Sequence, residues 1–295
     1  MYKPIPNISP ALVYFDTETT SFARDCDLIQ AGFVFKELEF NRYILPNKSI
    51  SEKAERITGI QVCERQMFHN GVEVDCVSVN EFVDNLIEWL QNQVGGNVIL
   101  VGHNSKVFDA PRLLRHVSLC GKEMEFRQTV LGFSDTLAVF RSVYKEEIKG
   151  FSQTNLVKTI LNKEYEQHNA LADARALCDL VHSSKVTISD ITGHSFTTDS
   201  VCTSNIRWRE RCMNISSLQP LVGAGACSRV MLEKMASSGL QLRHLQLAHD
   251  ETGDDGVAAL LAKRDSRGRV RVTKSKKIVT SICAYLTNIR QTETA

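Results

Sequence analysis

Long apolar runs are missing from this sequence of 295 residues. No stretch approaches the roughly 20 consecutive apolar residues that a membrane-spanning helix requires. The start of the chain, MYKPIPNISP, lacks the apolar core of a secretory signal peptide. We therefore expect no membrane association and an intracellular protein, located in the nucleus and/or the cytoplasm.

Paired cysteines are also missing, because the nine cysteines are odd in number, scattered and never spaced as C-x-x-C. This pattern favours free thiols in a reducing compartment over a disulfide framework. A zinc site could be imagined at His194, Cys202 and Cys212, but their spacings match no compact ligand pattern. We interpret the cysteines as buried or incidental thiols.

The rest of the composition is that of a folded protein, with 43% hydrophobic and 23% charged residues. The net charge of +1 hides an asymmetry, because residues 1–185 carry a formal charge of −4 and residues 186–295 one of +5. A carboxylate-rich first part is unusual for binding a polyanion unless bound cations neutralise some of its charge. The basic second part could help to hold a phosphate backbone.

Hydrophobic periodicity predicts alternating strands and helices in the first part of the chain. The predicted strands are residues 11–15, 28–35, 40–45, 97–102 and, more weakly, 133–140. The predicted helices are residues 82–94, after a capping box at 78–81, then 109–120 and 169–181. This alternation predicts an α/β fold in which helices flank a mixed sheet.

Periodicity is lost between about residues 188 and 214, a stretch rich in Thr and Ser that is typical of a linker. Helix-compatible apolar segments follow at 230–235, 240–247 and 278–286, and a short apolar run at 257–262 lies between polar turns. The length suffices for two domains. We expect a first domain at residues 1–187, a linker at 188–213 and a small, mostly helical C-terminal domain at 214–295.

Two carboxylates end the first predicted strand. Asp16 and Glu18 are two residues apart, so their side chains leave the same face of a strand and converge. Converging carboxylates repel each other unless a cation lies between them, and oxygen ligands suit Mg²⁺ or Mn²⁺. Acidic residues also often end strands without any such role, so this pair alone is weak evidence.

Two later segments supply further acidic residues and histidines. His168 and Asp173 lie at the start of a predicted helix, where a histidine is usually a surface or capping residue and an aspartate usually interacts with the helix dipole. His103 and Asn104 end a strand, and Asp109 begins the next helix, where it could serve as an N-cap. Because these residues all occur downstream of Asp16 and Glu18, the combination favours a single shared site. In such a site, His168 could take a proton from water.

These segments resemble the three motifs of the DnaQ-like DEDDh exonuclease family. The matching residues are FDTETT at 15–20, HNSKVFD at 103–109 and HNALAD at 168–173, together with SEKAERITGI at 51–60. The resemblance covers residues 11 to about 184 and is greatest to the three-prime repair exonucleases and to the exonuclease-like C-terminal domain of long promyelocytic leukaemia protein isoforms. Ser21 departs from the family, which usually has glycine there; we expect this to affect loop geometry only.

The resemblance implies an RNase H-like fold in residues 1–187 and stepwise release of 5′-mononucleotides from free 3′ ends. It also implies two Mg²⁺ ions, for which Mn²⁺ can substitute, held by Asp16, Glu18, Asp109 and Asp173. Two such ions about 4 Å apart can activate a water and stabilise the leaving oxygen. His168 is expected to be the general base. The expected substrate-binding residues are Thr17, Thr19, Phe22, His103 and Asn104.

Several alternatives stay open at this point. The expected substrate is DNA with single-stranded or frayed 3′ ends, but RNA is possible because no contact to a 2′-hydroxyl can be placed. The chain could also be a binding or scaffold protein that keeps the fold; the loss of a catalytic carboxylate would favour this, and none is lost. Phe22 could be a core residue instead of a wedge against terminal bases. The sequence indicates no protein partner and no oligomeric state.

A basic segment lies at residues 263–277, where eight Lys or Arg residues accompany one Asp. Residues 266–268 are typical of a turn, and the alternation that follows predicts a short strand with Arg269 and Arg271 on one face. We consider Arg267, Arg269 and Arg271 as possible contacts to nucleic acid. A solvated surface loop or a nuclear-import signal would explain the same charges.

Overall fold

The computed structural model describes residues 10–293 of the chain. These residues form two compact units, which divide along the chain between Ser204 and Asn205. Within the described range, no helix combines the length and the apolar character needed to cross a membrane.

Within residues 10–204, the first unit contains ten strands in two sheets. They are β1 (Ala11–Thr19), β2 (Leu28–Phe35), β3 (Leu38–Ile44), β4 (Ile60–Cys63), β5 (Gln66–His69), β6 (Val72–Val74), β7 (Cys76–Val77), β8 (Val98–Gly102), β9 (Val130–Asp135) and β10 (Ser195–Thr197).

Helices alternate with these strands and then form the second unit. They are α1 (Glu52–Thr58), α2 (Val79–Asn92), α3 (Asp109–Leu119), α4 (Glu123–Thr129), α5 (Thr136–Val143), α6 (Gln153–Leu156), α7 (Ala170–His182), α8 (Ile188–Gly193), α9 (Thr198–Gly223), α10 (Arg229–Ser237), α11 (Leu242–Ala262) and α12 (Lys276–Glu293), with a π-helical turn at Val157–Leu161.

The main sheet has seven strands in the order β10-β9-β8-β1-β2-β3-β7. Strands β1, β2 and β3 are antiparallel to one another, whereas β8 runs parallel to β1 and β9 parallel to β8. Strands β4, β5 and β6 form a separate antiparallel sheet. A mixed sheet with this arrangement, flanked by helices, is RNase H-like, and the predicted fold class is confirmed.

Helices cover both faces of the main sheet, and the alternation of side chains along β1 defines the two faces. Val13 and Phe15 pack in one apolar cluster with residues of α2, α3 and α4. Tyr14 points to the other face and packs in a second cluster with residues of α5, α7 and α8. Because side chains of one strand alternate, residues 16 and 18 continue the face of Tyr14, which is the face that α7 covers.

The second unit is helical, as the sequence predicts. The end of α9 packs with α10, α11 and α12 around a core that includes Leu221, Met235, Val257 and Ile282. The apolar run at 257–262, expected to lie between turns, is the last part of α11. Helix α11 is broken at Thr252 and Gly253, whose backbone angles are not helical.

Three expectations for single segments were wrong. The strand predicted at 133–140 ends at Asp135, whose side chain accepts a hydrogen bond from Leu137 N–H and caps α5. The stretch at 188–213 is not an irregular linker, because it holds α8, β10 and the first part of α9; Thr187 and Asp190 form a capping box that starts α8. Residues 269–272 form no strand, and one isolated bridge joins Arg264 to Val270.

Candidate active site

Strand β1 carries the first two carboxylates. Asp16 and Glu18 are half-buried and alternate with the buried Thr17 and Thr19, so both carboxylates lie on the face towards α7. They line a cleft of about 230 Å³ together with residues of α1, α3 and α7. The period-2 pattern of one strand thus accounts for their convergence.

Helix α7 approaches β2 closely at its start. Gly32 of β2 lies opposite Asp16 in the strand pair, and a Cβ at Gly32 would lie 2.5 Å from the carbonyl carbon of Ala170. The buried side chain of Gln30 accepts a hydrogen bond from Ala170 N–H at 3.1 Å, and Asn169 caps the helix. The absence of a side chain at Gly32 allows the first turn of α7, which carries Asp173, to approach the strand pair. The hydrogen bond of Gln30 then holds that turn in place.

Asp173 is held by three donors. Tyr165 donates its hydroxyl to Oδ1 at 2.7 Å, and Gln153 Nε2 donates to the same oxygen at 3.2 Å. The backbone N–H of His168 donates to Oδ2 at 2.8 Å. Both oxygens of Asp173 are therefore fixed in direction before any ligand binds.

Oxygens of Asp16, Glu18 and Asp173 all lie within 4.8 Å of one another. Asp109 comes from the first turn of α3, lines the same cleft and is only 2% exposed. Thr17, on the opposite face of β1 from Asp16, donates its hydroxyl to Oδ1 of Asp109 at 2.6 Å. The structure thus brings all four predicted carboxylates into one cleft.

Burial raises the pKa of every carboxyl in this group, and repulsion within the group adds to the rise for Asp16 and Glu18. Burial raises the pKa of Glu18 to about 8, with added repulsion from Asp173 and Asp109. Burial, followed by repulsion from Asp109, Asp173 and Glu18, raises the pKa of Asp16 well above its usual value. Burial also raises the pKa of Asp109 to about 6, although the Thr17 hydrogen bond opposes this.

A cation in the cleft would offset the cost of burying these charged carboxylates next to one another. Four carboxyls converge in a cleft where no protein cation occupies the space between Asp16, Glu18 and Asp173 among the described residues. A divalent ion would favour their charged forms, and an all-oxygen donor set suits a hard cation. The residues therefore fit a divalent metal ion.

His168 precedes α7 and combines two features. Its backbone has φ of 64°, in the left-handed region that most residues avoid, and its N–H points to Asp173. Its side chain is exposed and lines the cleft. The backbone of this residue therefore supports the carboxylate group, while its imidazole faces the space where a substrate would lie.

The five residues predicted to contact substrate all line the cleft, but they differ in exposure and in the hydrogen bonds that they form. The hydroxyls of Thr17 and Thr19 are engaged within the protein, with Asp109 and with the Ser21 carbonyl. Phe22 is 56% exposed, so it is not a core residue; its ring lies 6.3 Å from that of Phe108 and 4.6 Å from Lys53 Nζ.

His103 and Asn104 are the other two of these residues. His103 Nε2 donates to the Phe151 carbonyl at 2.8 Å, and its Nδ1 lies 3.0 Å from the Thr136 hydroxyl. Burial lowers the pKa of His103 and favours the neutral ring. Asn104 adopts the left-handed backbone conformation with φ of 58°. Both ring nitrogens of His103 are thus already used to join the end of β8 to neighbouring segments.

The basic segment lies in the second unit, where the three arginines differ. Arg269 forms an ion pair with Asp265 at 3.0 Å. Arg271 donates to the Ser238 carbonyl at 2.5 Å, and the backbone of Arg267 donates to Asp265. Asp265 therefore organises the turn, and the arginines do not form the flat strand face that the sequence predicted.

Sequence reasoning missed four residues that position the carboxylates: Gln30, Gly32, Gln153 and Tyr165. None lies in a motif. Gln30 and its partner Ala170 are 140 positions apart, whereas Tyr165 lies only 8 positions before Asp173. A glutamine within an otherwise apolar strand was the one available signal, because a buried polar side chain requires a partner.

An RNase H-like sheet whose central strand ends in a group of converging carboxylates is the arrangement of the DEDDh exonucleases. The chain belongs to this family, because the exonuclease family model matches residues 13–181, more than half of the chain. A second model, for the C-terminal domain of PML, matches residues 214–289.

Among solved structures, the chain is similar to exonuclease I. Escherichia coli exonuclease I in complex with a dT13 oligonucleotide is 17% identical, with a TM-score of 0.48 over 59% of this chain and 41% of that one. The zinc-bound form of the E. coli exonuclease I complex with single-stranded DNA is 15% identical, with a TM-score of 0.49 over 72% and 45%. Exonuclease I from Methylocaldum szegediense is 19% identical, with a TM-score of 0.46 over 60% and 41%.

The chain therefore spans less than half the length of these proteins. Comparison with curated protein sequences gave no match.

Proposed function

We propose that this protein is a divalent-metal-dependent exonuclease that removes 5′-mononucleotides from the 3′ ends of DNA. The observation that carries the proposal is the convergence of Asp16, Glu18 and Asp173, with Asp109 in the same cleft. Family membership supports the exonuclease class. The choice of DNA rests on the resemblance to repair exonucleases and on the DNA complexes of exonuclease I.

The carboxylates would hold two Mg²⁺ ions, for which Mn²⁺ can substitute. Bound there, such ions supply Lewis-acid activation of water and offset the charge that develops on the phosphate. Asp16, Glu18 and Asp173 provide one group of oxygens, and Asp109 lines the same cleft from α3. Tyr165 and Gln153 orient Asp173 through 2.7 and 3.2 Å hydrogen bonds.

His168 acts as the general base in this proposal. Its exposed ring lines the cleft beside the carboxylates, where an imidazole nitrogen can take the proton of the attacking water. The backbone N–H of His168 binds Asp173, so the base and the carboxylate group are fixed to each other. Phe22, exposed at the cleft beside Phe108, would stack on or wedge against the terminal base.

The test is to incubate the full chain with 5′-labelled oligonucleotides in Mg²⁺, using matched single-stranded DNA, duplex DNA and RNA. We expect the labelled DNA to shorten stepwise from the 3′ end, with 5′-mononucleotide products and with no cleavage in EDTA. Asp16→Asn should abolish cleavage, whereas Asp75→Asn, at an exposed position outside the cleft, should retain it.

Other outcomes decide between the alternatives. Faster shortening of RNA than of DNA would change the substrate assignment and leave the exonuclease assignment intact. If the folded protein binds 3′ ends but cleaves none of the substrates with Mg²⁺ or Mn²⁺, the chain is a binding protein that keeps the fold.

A further inference from the structure

A second group of potential metal ligands lies in the C-terminal unit and shares no residue with the carboxylates of the candidate active site. His249 and Asp254 come from α11, and Cys283 comes from α12. One potential ligand atom of each lies within 4.8 Å of those of the other two. In the described part of the chain, only this group and the Asp16 group bring three such side chains so close.

The break in α11 creates this group. In a regular helix, residues five apart point about 140° away from each other, so His249 and Asp254 would lie on different faces. Non-helical angles at Thr252 and Gly253, with Gly253 at φ of 65°, redirect the chain between them. Gly256 then lies so close to the first half that a Cβ there would overlap the Ala248 carbonyl oxygen.

The backbone of α11 therefore folds back on itself at two glycines, Gly253 and Gly256. Glycine is the residue that adopts positive φ without strain and permits such close approach. As a result, the Asp254 carboxylate lies 3.7 Å from His249 Nε2, although the two are five residues apart.

The donor set is one of sulfur, nitrogen and oxygen. Cys283 is 2% exposed, which removes its thiol from solvent and from a role as an accessible nucleophile. Burial, and then the Asp254 carboxylate that the thiol contacts, raise the pKa of Cys283 to about 12.

We propose that His249, Asp254 and Cys283 bind a zinc ion, with water in the fourth position. Thiolate, imidazole and carboxylate are the ligands of Zn²⁺, whereas Mg²⁺ takes oxygen ligands only. Zn–N and Zn–O distances of about 2.0–2.2 Å imply a nitrogen–oxygen edge of roughly 3.3–3.6 Å in a tetrahedron. The 3.7 Å separation of His249 and Asp254 exceeds this edge only slightly, so a small movement of the two side chains would suffice. The ion would join both halves of α11 to α12.

The experiment measures metal binding by the full chain and is independent of nuclease activity. Excess Mg²⁺ and the Asp16→Asn substitution keep the active-site carboxylates from contributing. Zn²⁺ is titrated against a chromophoric chelator, and Co²⁺ is used as a spectroscopic substitute. We expect one tight equivalent of Zn²⁺ and, with Co²⁺, the near-ultraviolet charge-transfer absorption of a thiolate ligand.

Variants assign the ligands. His249→Ala should weaken Zn²⁺ binding by at least about 100-fold, since removing only a hydrogen-bond partner of a ligand already weakens binding by about 10- to 100-fold. Cys283→Ser should abolish the charge-transfer absorption. Cys227→Ser is the matched control, because Cys227 is a partly buried cysteine of the same unit outside the group, and this variant should bind metal like the parent.

Three results would overturn the proposal. The first is Co²⁺ binding without the thiolate absorption in the parent protein, the second is unchanged Zn²⁺ affinity in His249→Ala, and the third is the absence of Zn²⁺ binding by the folded parent. If Cys283→Ser fails to fold by circular dichroism, His249→Ala decides, because Zn²⁺ should raise the Tm of the parent and not that of this variant. Absence of any Zn²⁺ binding by the folded parent would leave the three residues as a hydrogen-bonded cluster only.

Discussion

The phenol of Tyr165 donates a 2.7 Å hydrogen bond to Oδ1 of Asp173, the carboxylate that α7 adds to the active site. Burial and the neighbouring Asp173 raise the pKa of Tyr165, so the hydroxyl remains a donor at neutral pH. The bond links a residue outside the motifs to the group of carboxylates in the cleft. It makes the orientation of Asp173 dependent on the segment that precedes His168.

Tyr165→Phe should raise the Mg²⁺ concentration for half-maximal activity by about 10-fold or more, the usual effect of removing a hydrogen-bond partner of a metal ligand. Titration of activity with Mg²⁺ measures this. Tyr144→Phe is the control, because that hydroxyl binds Lys185 N–H at 2.9 Å, away from the cleft. Identical Mg²⁺ curves for Tyr165→Phe and the parent would show that the hydroxyl does not position the carboxylate.

The metal-free protein should lose stability as the pH rises from about 4.5 to about 8. Glu18 has a pKa of about 8 in the folded protein and 4.5 ordinarily. Between these values the native state binds more protons than the unfolded state, so the free energy of unfolding falls with increasing pH. Melting temperatures in EDTA across this range measure the decline.

Glu18→Gln should flatten that decline and reduce the gain in Tm from Mg²⁺. Glu39→Gln is the control, because Arg175 lowers the pKa of Glu39. The contribution of Glu39 to stability therefore changes with pH in the opposite direction from that of Glu18. The Glu39 contribution is present above pH 4.5 and is lost as the pH falls below it. A Tm of the metal-free parent that rises from pH 5 to pH 8 would contradict repulsion within the carboxylate group.

His168→Asn should reduce turnover by about 100-fold or more and leave the Mg²⁺ dependence nearly unchanged. Asparagine tolerates the left-handed conformation at φ of 64°, and the backbone N–H that binds Asp173 remains. Single-turnover rates with saturating Mg²⁺ measure the effect. His182→Asn, at the far end of α7, should turn over normally, and normal turnover by His168→Asn would exclude it as the base.

Phe22→Ala should leave the Tm nearly unchanged, because the ring is 56% exposed. Removing one base–aromatic stack of about 1–3 kcal/mol should raise KM or reduce kcat/KM by about 5- to 150-fold. Steady-state kinetics and thermal unfolding of the same samples separate the two effects. Met124→Ala removes an apolar side chain outside the cleft that is even more exposed, and it should change neither.

Neutralising Arg267 and Arg269 by Gln should weaken binding of long DNA and make its affinity less dependent on salt. The slope of log affinity against log salt should decrease by about 0.7–0.9 for each phosphate that the variant no longer neutralises. Very short oligonucleotides should be cleaved as before. Arg229→Gln, exposed on α10, is the control. Equal salt slopes for the double variant and the parent would exclude this segment from the path of the substrate.

The sequence predicted those parts of the site that depend on local geometry. The alternation along residues 11–19 was enough to place Asp16 and Glu18 together, because side chains of one strand leave the same face at every second position. The start of α7, which carries Asp173, followed from helical periodicity over residues 169–181, and the structure adds that Asn169 is the N-cap. The motif resemblance then supplied Asp109 and His168.

The remaining features depend on tertiary interactions that one sequence does not display. The side chain of Asp135 can extend a strand or cap a helix, and the competition between the two ended β9 earlier than predicted. The segment at 188–213 has mixed composition, and its helices are stabilised by packing of Val201 and Cys202 in the apolar core of the first unit. Likewise, the break of α11 at Gly253 brings Asp254 to His249, and α12 adds Cys283, a grouping that the positions of these residues in the sequence did not suggest.

The absence of a side chain at Gly32 determines what effect a substitution at this position should have. Gly32 has no side chain in the cleft, but it lies opposite Asp16 and leaves room for the first turn of α7. Even a single methyl group there would force that turn outward and move Asp173 away from its partners. A conservative Gly32→Ala allele should therefore behave genetically as a loss-of-function allele for catalysis, although it leaves every residue of the motifs intact.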